Sequence, residues 1–570
     1  MDSWPSSGAG SRTANQALTA AGLAVKRRRY IGKQTPSIED KRLQHASQLL
    51  PTSSRDSSTI KKKPATAKAK TQVFVGASQM KPWEDIILQH HYMPHVNFPE
   101  EFSKRLIDHL QADDLGMVHT NLSSLATTSN ARDPSVHLKI ATMCAGSDIV
   151  LTMFPHLQNE LSRVLGIAIL FDHRWSCEVD PQKQNWIRQN FAVPRLFDDI
   201  NDLSQSHGAM DIVTGTQCIP EEVDMILAGI SCKDASRLSV NQKDRRTTVS
   251  EGTFSTGSTF EGLIKYVKKL EAKPKLIIIE NVLGLKDKPL DNPLAFSNFQ
   301  TIQKAFDMLG YLFIDVSFDV ADTGLPCRRN RLWMAAIYYP ICAPGSEEFL
   351  SVKDRSHIKT MKTLQDLLAS CKKYSLCDVL IQEYQYHNHT EMLHDWWPDV
   401  SAFEDDFDPP EVAPGKFKWL DQHQKLWQEI GDEKKKMKMM NKFSNNIWFK
   451  SVLTPRQQDL LCILECQHSS SSANSTDETV WDLNPSAYRV SKNTNAAPCM
   501  LPRNCCWLQH RERPLAGVES LILQGADIRK LPSMKPGVWS SKFLQDLGGN
   551  AFNTAQCATF LVSVLSAMPV

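Results

Sequence analysis

The chain has 570 residues, 41% of them hydrophobic and 22% charged, with a formal net charge of +2. That composition is globular and excludes a fibrous or low-complexity chain, and the length allows two to four domains. No apolar run reaches about eighteen residues, so no membrane span is expected, and Met1-Asp2-Ser3-Trp4-Pro5 lacks an apolar secretory core.

Fourteen cysteines without small-domain spacing read as reduced intracellular thiols, not as a disulfide frame. The charge is unevenly spread. Residues 1–70 carry fourteen Lys and Arg against four Asp and Glu, and the remainder 51 against 59. A basic tail on a mildly acidic body suits salt-sensitive attraction to polyanions.

Residues 1–78 are rich in Ser, Thr, Ala, Lys and Arg without hydrophobic period and read as a disordered basic tail. Lys26-Arg27-Arg28-Arg29, and Lys61-Lys62-Lys63 with Lys68 and Lys70, suit a nuclear import signal or a nucleic-acid patch as well as they suit an unspecific solvated tail. An N-terminal extension, 79–135, holds one expected helix, Pro99 to Leu110, with Phe102, Leu106 and Leu110 at helical spacing. His90, His91 and His95 have no cysteine beside them and read as surface histidines.

From about residue 136 strands and helices alternate. Strands are expected at 138–143, 174–179, 224–228, 275–279, 311–320 and 332–338, with helices at 181–190, 260–270 and 298–309. That rhythm implies an α/β fold with a doubly wound, mostly parallel sheet. Residues 341–495 break it with aromatic, charged and Ser-rich stretches and read as a smaller irregular domain. Its His387, His389 and His394 lack a CxxC pair, so surface or core histidines are expected. Residues 496–570 turn regular again and end on an apolar helix, Ala555 to Met568.

Three strand ends carry chemistry. In Met225-Ile226-Leu227-Ala228-Gly229-Ile230-Ser231-Cys232 the thiol stands just past a strand's carboxyl end, where open α/β sheets hold ligands. Leu276-Ile277-Ile278-Ile279-Glu280 ends a buried strand on a carboxylate. Cys327-Arg328-Arg329-Asn330-Arg331 sets two arginines on alternate positions before a strand. A nucleophilic thiol, an acid for a ring nitrogen and an arginine for a carbonyl oxygen suit attack on an electron-poor ring.

Ser231-Cys232-Lys233 with Ser236, Glu280-Asn281-Val282, Gly310-Tyr311 and Cys327-Arg328-Arg329-Asn330-Arg331 resemble, in order, the motifs of cytosine-5 DNA methyltransferases. The resemblance spans about residues 137–340 and 496–570. It implies a class I methyltransferase core at 136–340, a target-recognition domain at 341–495 and a segment at 496–570 that completes the core. It implies S-adenosylmethionine as cofactor, held by the loop Cys144-Ala145-Gly146-Ser147, by Glu178 with Val179, by Asp199, and by Asn550 and Ala551 of the last motif. Catalysis falls to Cys232, Glu280, Arg329 and Arg331, with Cys232 adding to carbon 6 of a flipped cytosine.

The implied partner is double-stranded DNA, while the nucleus is expected from the short basic runs alone. A tRNA cytosine-5 methyltransferase and a catalytically silent DNA-binding homologue are the alternatives. The chain departs from the motifs at Cys144 for an aromatic, Asp148 for glycine, Ser231 for proline, Lys233 for glutamine and Cys327 for glutamine. Lys233 beside the thiol is expected to favour its ionised form.

Overall fold

The computed structural model describes residues 94–569, apart from 95, 127–134, 238–245, 291, 293, 382–391, 393–396, 398–417, 469–477, 486, 491, 503 and 536. The basic tail and all six histidines singled out above lie outside the described residues.

The frame is a nine-stranded sheet in the order β5-β4-β3-β2-β1-β6-β7-β9-β8. Its strands are β1 Val136–Met143, β2 Ile169–Cys177, β3 Arg195–Phe197, β4 Ala209–Asp211, β5 Thr216–Cys218, β6 Met225–Ala228, β7 Leu276–Asn281, β8 Tyr311–Asp319 and β9 Asn330–Tyr338. The five strands from β3 to β7 run parallel, and β9 lies antiparallel between β7 and β8. The chain winds outward from β1 through β2 and β3, then returns to add β6 on the other side of β1. That reversal opens a crevice at the carboxyl ends of β1 and β6, where ligands bind in such sheets.

Side-chain alternation builds the two faces. Met225, Leu227, Leu276 and Ile278 enter one apolar cluster, and Ile226, Ala228, Ile277 and Ile279 enter the other. Every residue of β6 and β7 is buried, as a central parallel strand covered on both faces requires.

β2 starts five residues before the expected Arg174 and ends at Cys177. Its middle, Asp172-His173-Arg174, is polar and hides the strand from a hydrophobicity reading. The register with β1 also slips there, His173 and Trp175 facing Ile140 and Ala141, so Arg174 is the extra residue of a bulge. The helix expected from Phe260 begins at Phe254.

The helix Thr554–Leu565 is buried along its whole length. The helices Phe98–Asp108 and Ala112–Leu125 of the N-terminal extension pack on it, and Asn121 Nδ2 donates to the carbonyls of Leu565 (2.8 Å) and Met568 (3.2 Å). The long helix Glu347–Ser370 packs on β8 and on this same helix. It therefore covers the main sheet, although it falls within 341–495. Its buried stripe mixes Ser356, Thr360 and Thr363 with Phe349, Val352, Leu364 and Leu367, which disguises the amphipathic period.

A second, antiparallel sheet is ordered β11-β10-β12-β13, from β10 Thr479–Asp482, β11 Lys492–Thr494, β12 Cys506–Leu508 and β13 Arg513–Pro514. The helices Lys418–Ile430, Glu433–Phe443, Ile447–Ser451 and Pro455–His468 precede it in the chain. Phe443 stacks on Phe449 at 5.0 Å and meets Trp507 edge-on at 6.0 Å.

Candidate active site

Three loops meet at the crevice. Gly146 sits in the left-handed region at φ 72°, and a Cβ there would stand 3.0 Å from the carbonyl oxygen of Asn550. Gly229, just past β6, lies closer still. A Cβ there would meet the Cys144 carbonyl at 2.5 Å and the Phe552 ring at 2.9 Å. The loops after β1 and β6 and the turn 550–552 touch through backbone, which two glycines allow.

Acids crowd the β1 side. Glu178, the first residue past β2, is 7% exposed, and one carboxylate oxygen accepts the backbone N–H of Asp180 at 3.0 Å. Burial pushes its carboxyl up to about 7, against the pull of Lys183 and the Asp180 N–H. Burial raises the Cys144 thiol far above the ordinary range, and the charges of Glu178, Asp199 and Asp148 raise it further, so all three acids lie within electrostatic reach of this loop. The carboxylate of Asp199 accepts the backbone and side-chain N–H of Asn201, both at 2.9 Å. Val179, next to Glu178, is 68% exposed.

Asp148, at φ 54°, fills its departure from the glycine motif with a buried network. Its carboxylate accepts the hydroxyls of Ser176 (2.6 Å) and Thr142 (3.1 Å), and burial raises it to about 6 despite those bonds. The half-buried His173 ring lies 3.3 Å from Ser176 Oγ, and desolvation lowers it to about 4. The Ser147 carbonyl accepts Trp186 Nε1 at 2.9 Å, while Ser147 Oγ is buried without a partner among the described residues.

The residues fit a nucleotide-like ligand. A carboxylate past β2 suits a ribose diol, and the two glycine approaches keep the crevice floor to bare backbone. The amide of Asn550 turns away instead, donating to Asp546, so the backbone and Cβ of Asn550 face Gly146.

On the other side of β6 the loop carrying Cys232 is pinned. Ser231 N–H donates to Thr259 Oγ1 at 3.0 Å, and Thr256 N–H to the buried Asp234 carboxylate at 2.9 Å, both from the helix Phe254–Lys269. Asn281 Nδ2 donates to the Ile230 carbonyl at 2.8 Å, joining the end of β7 to this loop. Cys232 is half-buried. Burial raises its thiol, Glu280 raises it further, and Arg331 and Arg329 pull it back, leaving it above an ordinary thiol. The exposed Lys233 is absent from that balance, so the expected activating lysine is corrected: the opposing charges are the two arginines.

Glu280 and Arg331, each 9% exposed, are brought together, with Arg331 Nε 2.9 Å from Glu280 Oε1. That oxygen is buried and makes no aligned hydrogen bond among the described residues. Burial works against the Arg331 charge, but Cys499, Glu280 and Cys232 hold it, and its pKa rises.

Arg329 behaves differently. It is 3% exposed, and its Nη atoms donate to the carbonyls of Met500 (2.9 Å), Gly549 (3.1 Å) and Ala551 (2.7 Å). Its Nη2 also stands 3.9 Å from Glu280 Oε1, so its charge faces the same carboxylate as Arg331, but its hydrogen bonds all go to protein carbonyls. It points into protein and ties β9 to the 549–551 turn. Cys499, beside Arg331 at 3.7 Å, carries no local signal, since it matters only through a contact distant in sequence. Phe552, against Gly229, closes the Gly549-Asn550-Ala551-Phe552 stretch that resembles the last motif.

A family model described as C-5 cytosine-specific DNA methylase matches residues 158–527. The chain is 26% identical over 451 residues to the DNA (cytosine-5-)-methyltransferase DMT5 of Cryptococcus neoformans var. grubii, across 75% of this chain and 17% of that protein. To DMT5 of Verticillium dahliae it is 21% identical over 505 residues, across 80% of this chain and 20% of that protein. The chain thus spans a fifth or less of the length of these curated relatives. Among solved structures, the S. pombe Dnmt2 methyltransferase is 11% identical with a TM-score of 0.34, covering 75% of this chain and 98% of its own. The Entamoeba histolytica methyltransferase EhMeth is 10% identical with a TM-score of 0.36, over 75% and 98%.

Proposed function

The chain belongs to the C-5 cytosine-specific DNA methylase family, and from that premise we propose that it methylates carbon 5 of cytosine in double-stranded DNA. The observation that carries the reading is the grouping of Cys232, Glu280 and Arg331 at the edge of β6, β7 and β9, one loop away from the acids around Cys144. S-adenosylmethionine supplies the methyl group, and Glu178, Asp199 and the backbone of 144–147 and 550–551 would hold it.

The target base must leave the stack to reach a half-buried thiol. The Cys232 thiolate forms a bond to carbon 6. Glu280 holds a proton at ring nitrogen 3, and Arg331 holds the carbonyl oxygen, so the charge pushed into the ring is met at both atoms. Once carbon 5 is methylated, water takes its proton, the freed electron pair restores the double bond between carbons 5 and 6, and the carbon–sulfur bond breaks to return the Cys232 thiolate. Arg329 acts as a positioning residue, fixing the 549–551 turn against β9.

The recognition element we assign to the second sheet and its helices. The helix Glu433–Phe443 exposes Lys434, Lys435, Lys436, Lys438 and Lys442, which suits a phosphate backbone. Nuclear location is our inference from the basic runs at 26–29 and 61–63.

The test is covalent trapping on a duplex containing 5-fluorocytosine with S-adenosylmethionine. The wild type should form a denaturation-resistant complex, and Cys232→Ala none. Because burial raises the thiol, trapping should quicken as pH rises from about 7 to about 9, following the ionised fraction. A complex on tRNA but not on duplex DNA would transfer the reading to tRNA. No complex on either, with cofactor still bound, would leave the silent homologue.

A further inference from the structure

Residues 497–500, which follow the second sheet's β11, lie along the arginine segment like a short extra strand. Ala497 N–H donates to the Pro326 carbonyl at 2.8 Å, and Arg328 N–H to the Ala497 carbonyl at 2.9 Å, pairing Cys327 with Ala497 in parallel. Three residues on, the Met500 carbonyl takes Arg329 Nη1. Between these anchors Cys499 brings Sγ to 3.7 Å from Arg331 Nη2. Asn504 Nδ2 fixes the Cys499 backbone through its carbonyl at 2.9 Å, and reaches Cys506 Sγ of β12 at 3.9 Å.

Every arm of the Arg331 guanidinium is therefore occupied, but unequally. Nε faces the Glu280 carboxylate at 2.9 Å, and Nη1 donates to the Asn330 carbonyl at 2.9 Å. Only Nη2 is given to a thiol, a weak acceptor at long range.

We infer that Cys499 is a positioning residue that aims Arg331 Nη2 at the substrate while holding it weakly enough to release. This rests on the role proposed above for Arg331. A carboxylate at the same place would bind a charged donor more strongly and compete with the cytosine carbonyl for it, whereas a neutral hydroxyl would keep the aim without that hold. A small apolar side chain would leave Nη2 unaimed. The contact comes from the segment joining β11 to β12, so seating of the second sheet and orientation of the arginine are linked through one side chain.

The test is a series, Cys499→Ser, Cys499→Ala and Cys499→Asp, in the full chain. Each is assayed for S-adenosylmethionine binding by calorimetry, thermal melting, and 5-fluorocytosine trapping over a range of duplex concentrations. Cys499→Ser should trap within about threefold of wild type. Cys499→Ala should slow trapping at saturating DNA by ~10-fold, the loss expected of one mis-aimed donor. Cys499→Asp should slow it further with cofactor affinity unchanged, because its carboxylate keeps Nη2. If all three trap like the wild type, or if trapping falls only in step with melting temperature, the inference is overturned. If the wild type itself fails to trap, the reading of Arg331 fails first, and the two failures are told apart.

Discussion

At the scale of single residues the most consequential departure is Asp148, a carboxylate where the resembling motif carries glycine. It is buried, accepts two hydroxyls, and is pushed up to about 6. Its folded value exceeds the ordinary one of about 3.9, so ionisation opposes folding. That penalty is full above about pH 6 and vanishes below about pH 4. Asp148→Asn keeps an acceptor for Ser176 and Thr142 without the charge. It should raise stability at pH 7.5 by about 1–3 kcal/mol, since a tenfold change in acidity is worth about 1.4 kcal/mol, and by much less near pH 4.5. Chemical melts at both pH values check this, and an equal gain at both would refute a charge origin. Glu178, raised to about 7, pulls in the same direction, so the variant removes only part of the wild type's pH dependence.

At the scale of elements the joint between β13 and the helix Gly517–Ile522 stands out. Arg513 and Glu519 are fully buried and meet in two parallel hydrogen bonds, both 2.8 Å. The Glu519 carboxylate also accepts the N–H of Ala516 (2.8 Å) and of Ile381 (3.1 Å). Burial pushes the acid up, but Arg513 and these donors bring it below the ordinary value. One carboxylate thus joins a strand, a helix start and the chain leaving Val379. Arg513→Leu strands that charge and should cost about 3–5 kcal/mol, read as a lower denaturant midpoint with an unchanged m-value. A loss under about 1 kcal/mol would mean that water reaches the carboxylate.

At the scale of the whole molecule, the helix Glu433–Phe443 exposes Lys434, Lys435, Lys436 and Lys438, and the DNA reading proposed above makes it the element to test. Replacing Lys434, Lys435 and Lys436 together by Glu should weaken duplex binding. It should also reduce the slope of log affinity against log salt by roughly 0.9 for each phosphate no longer neutralised. Fluorescence anisotropy at several salt concentrations reads this directly. An unchanged slope would move the DNA path off that helix. Among the described residues no helix is long and apolar enough to cross a membrane.

Much of this was written into local sequence. Apolar runs such as Leu276–Ile279 specify buried strands, because a strand covered on both faces has no polar position to vary. The Gly229 turn and the alternate arginines of 328–331 stand at strand ends, so local pattern set Cys232, Glu280, Arg329 and Arg331 at one sheet edge, and the resemblance to cytosine-5 DNA methyltransferases supplied their expected roles. What sequence could not decide were contacts between distant segments. Arg329 and Arg331 look alike in the chain, and only packing turns the first onto three carbonyls, 3.9 Å from Glu280, and brings the second to 2.9 Å from that carboxylate. Lys233 neighbours the thiol in sequence, yet its exposure leaves the arginines to balance the charge. Cys499, 168 residues from Arg331, acquired its role only when the chain after β11 was folded back along the arginine segment. A chain's periodicity sets which face of an element is buried, whereas the neighbour met there is set by closure of the fold.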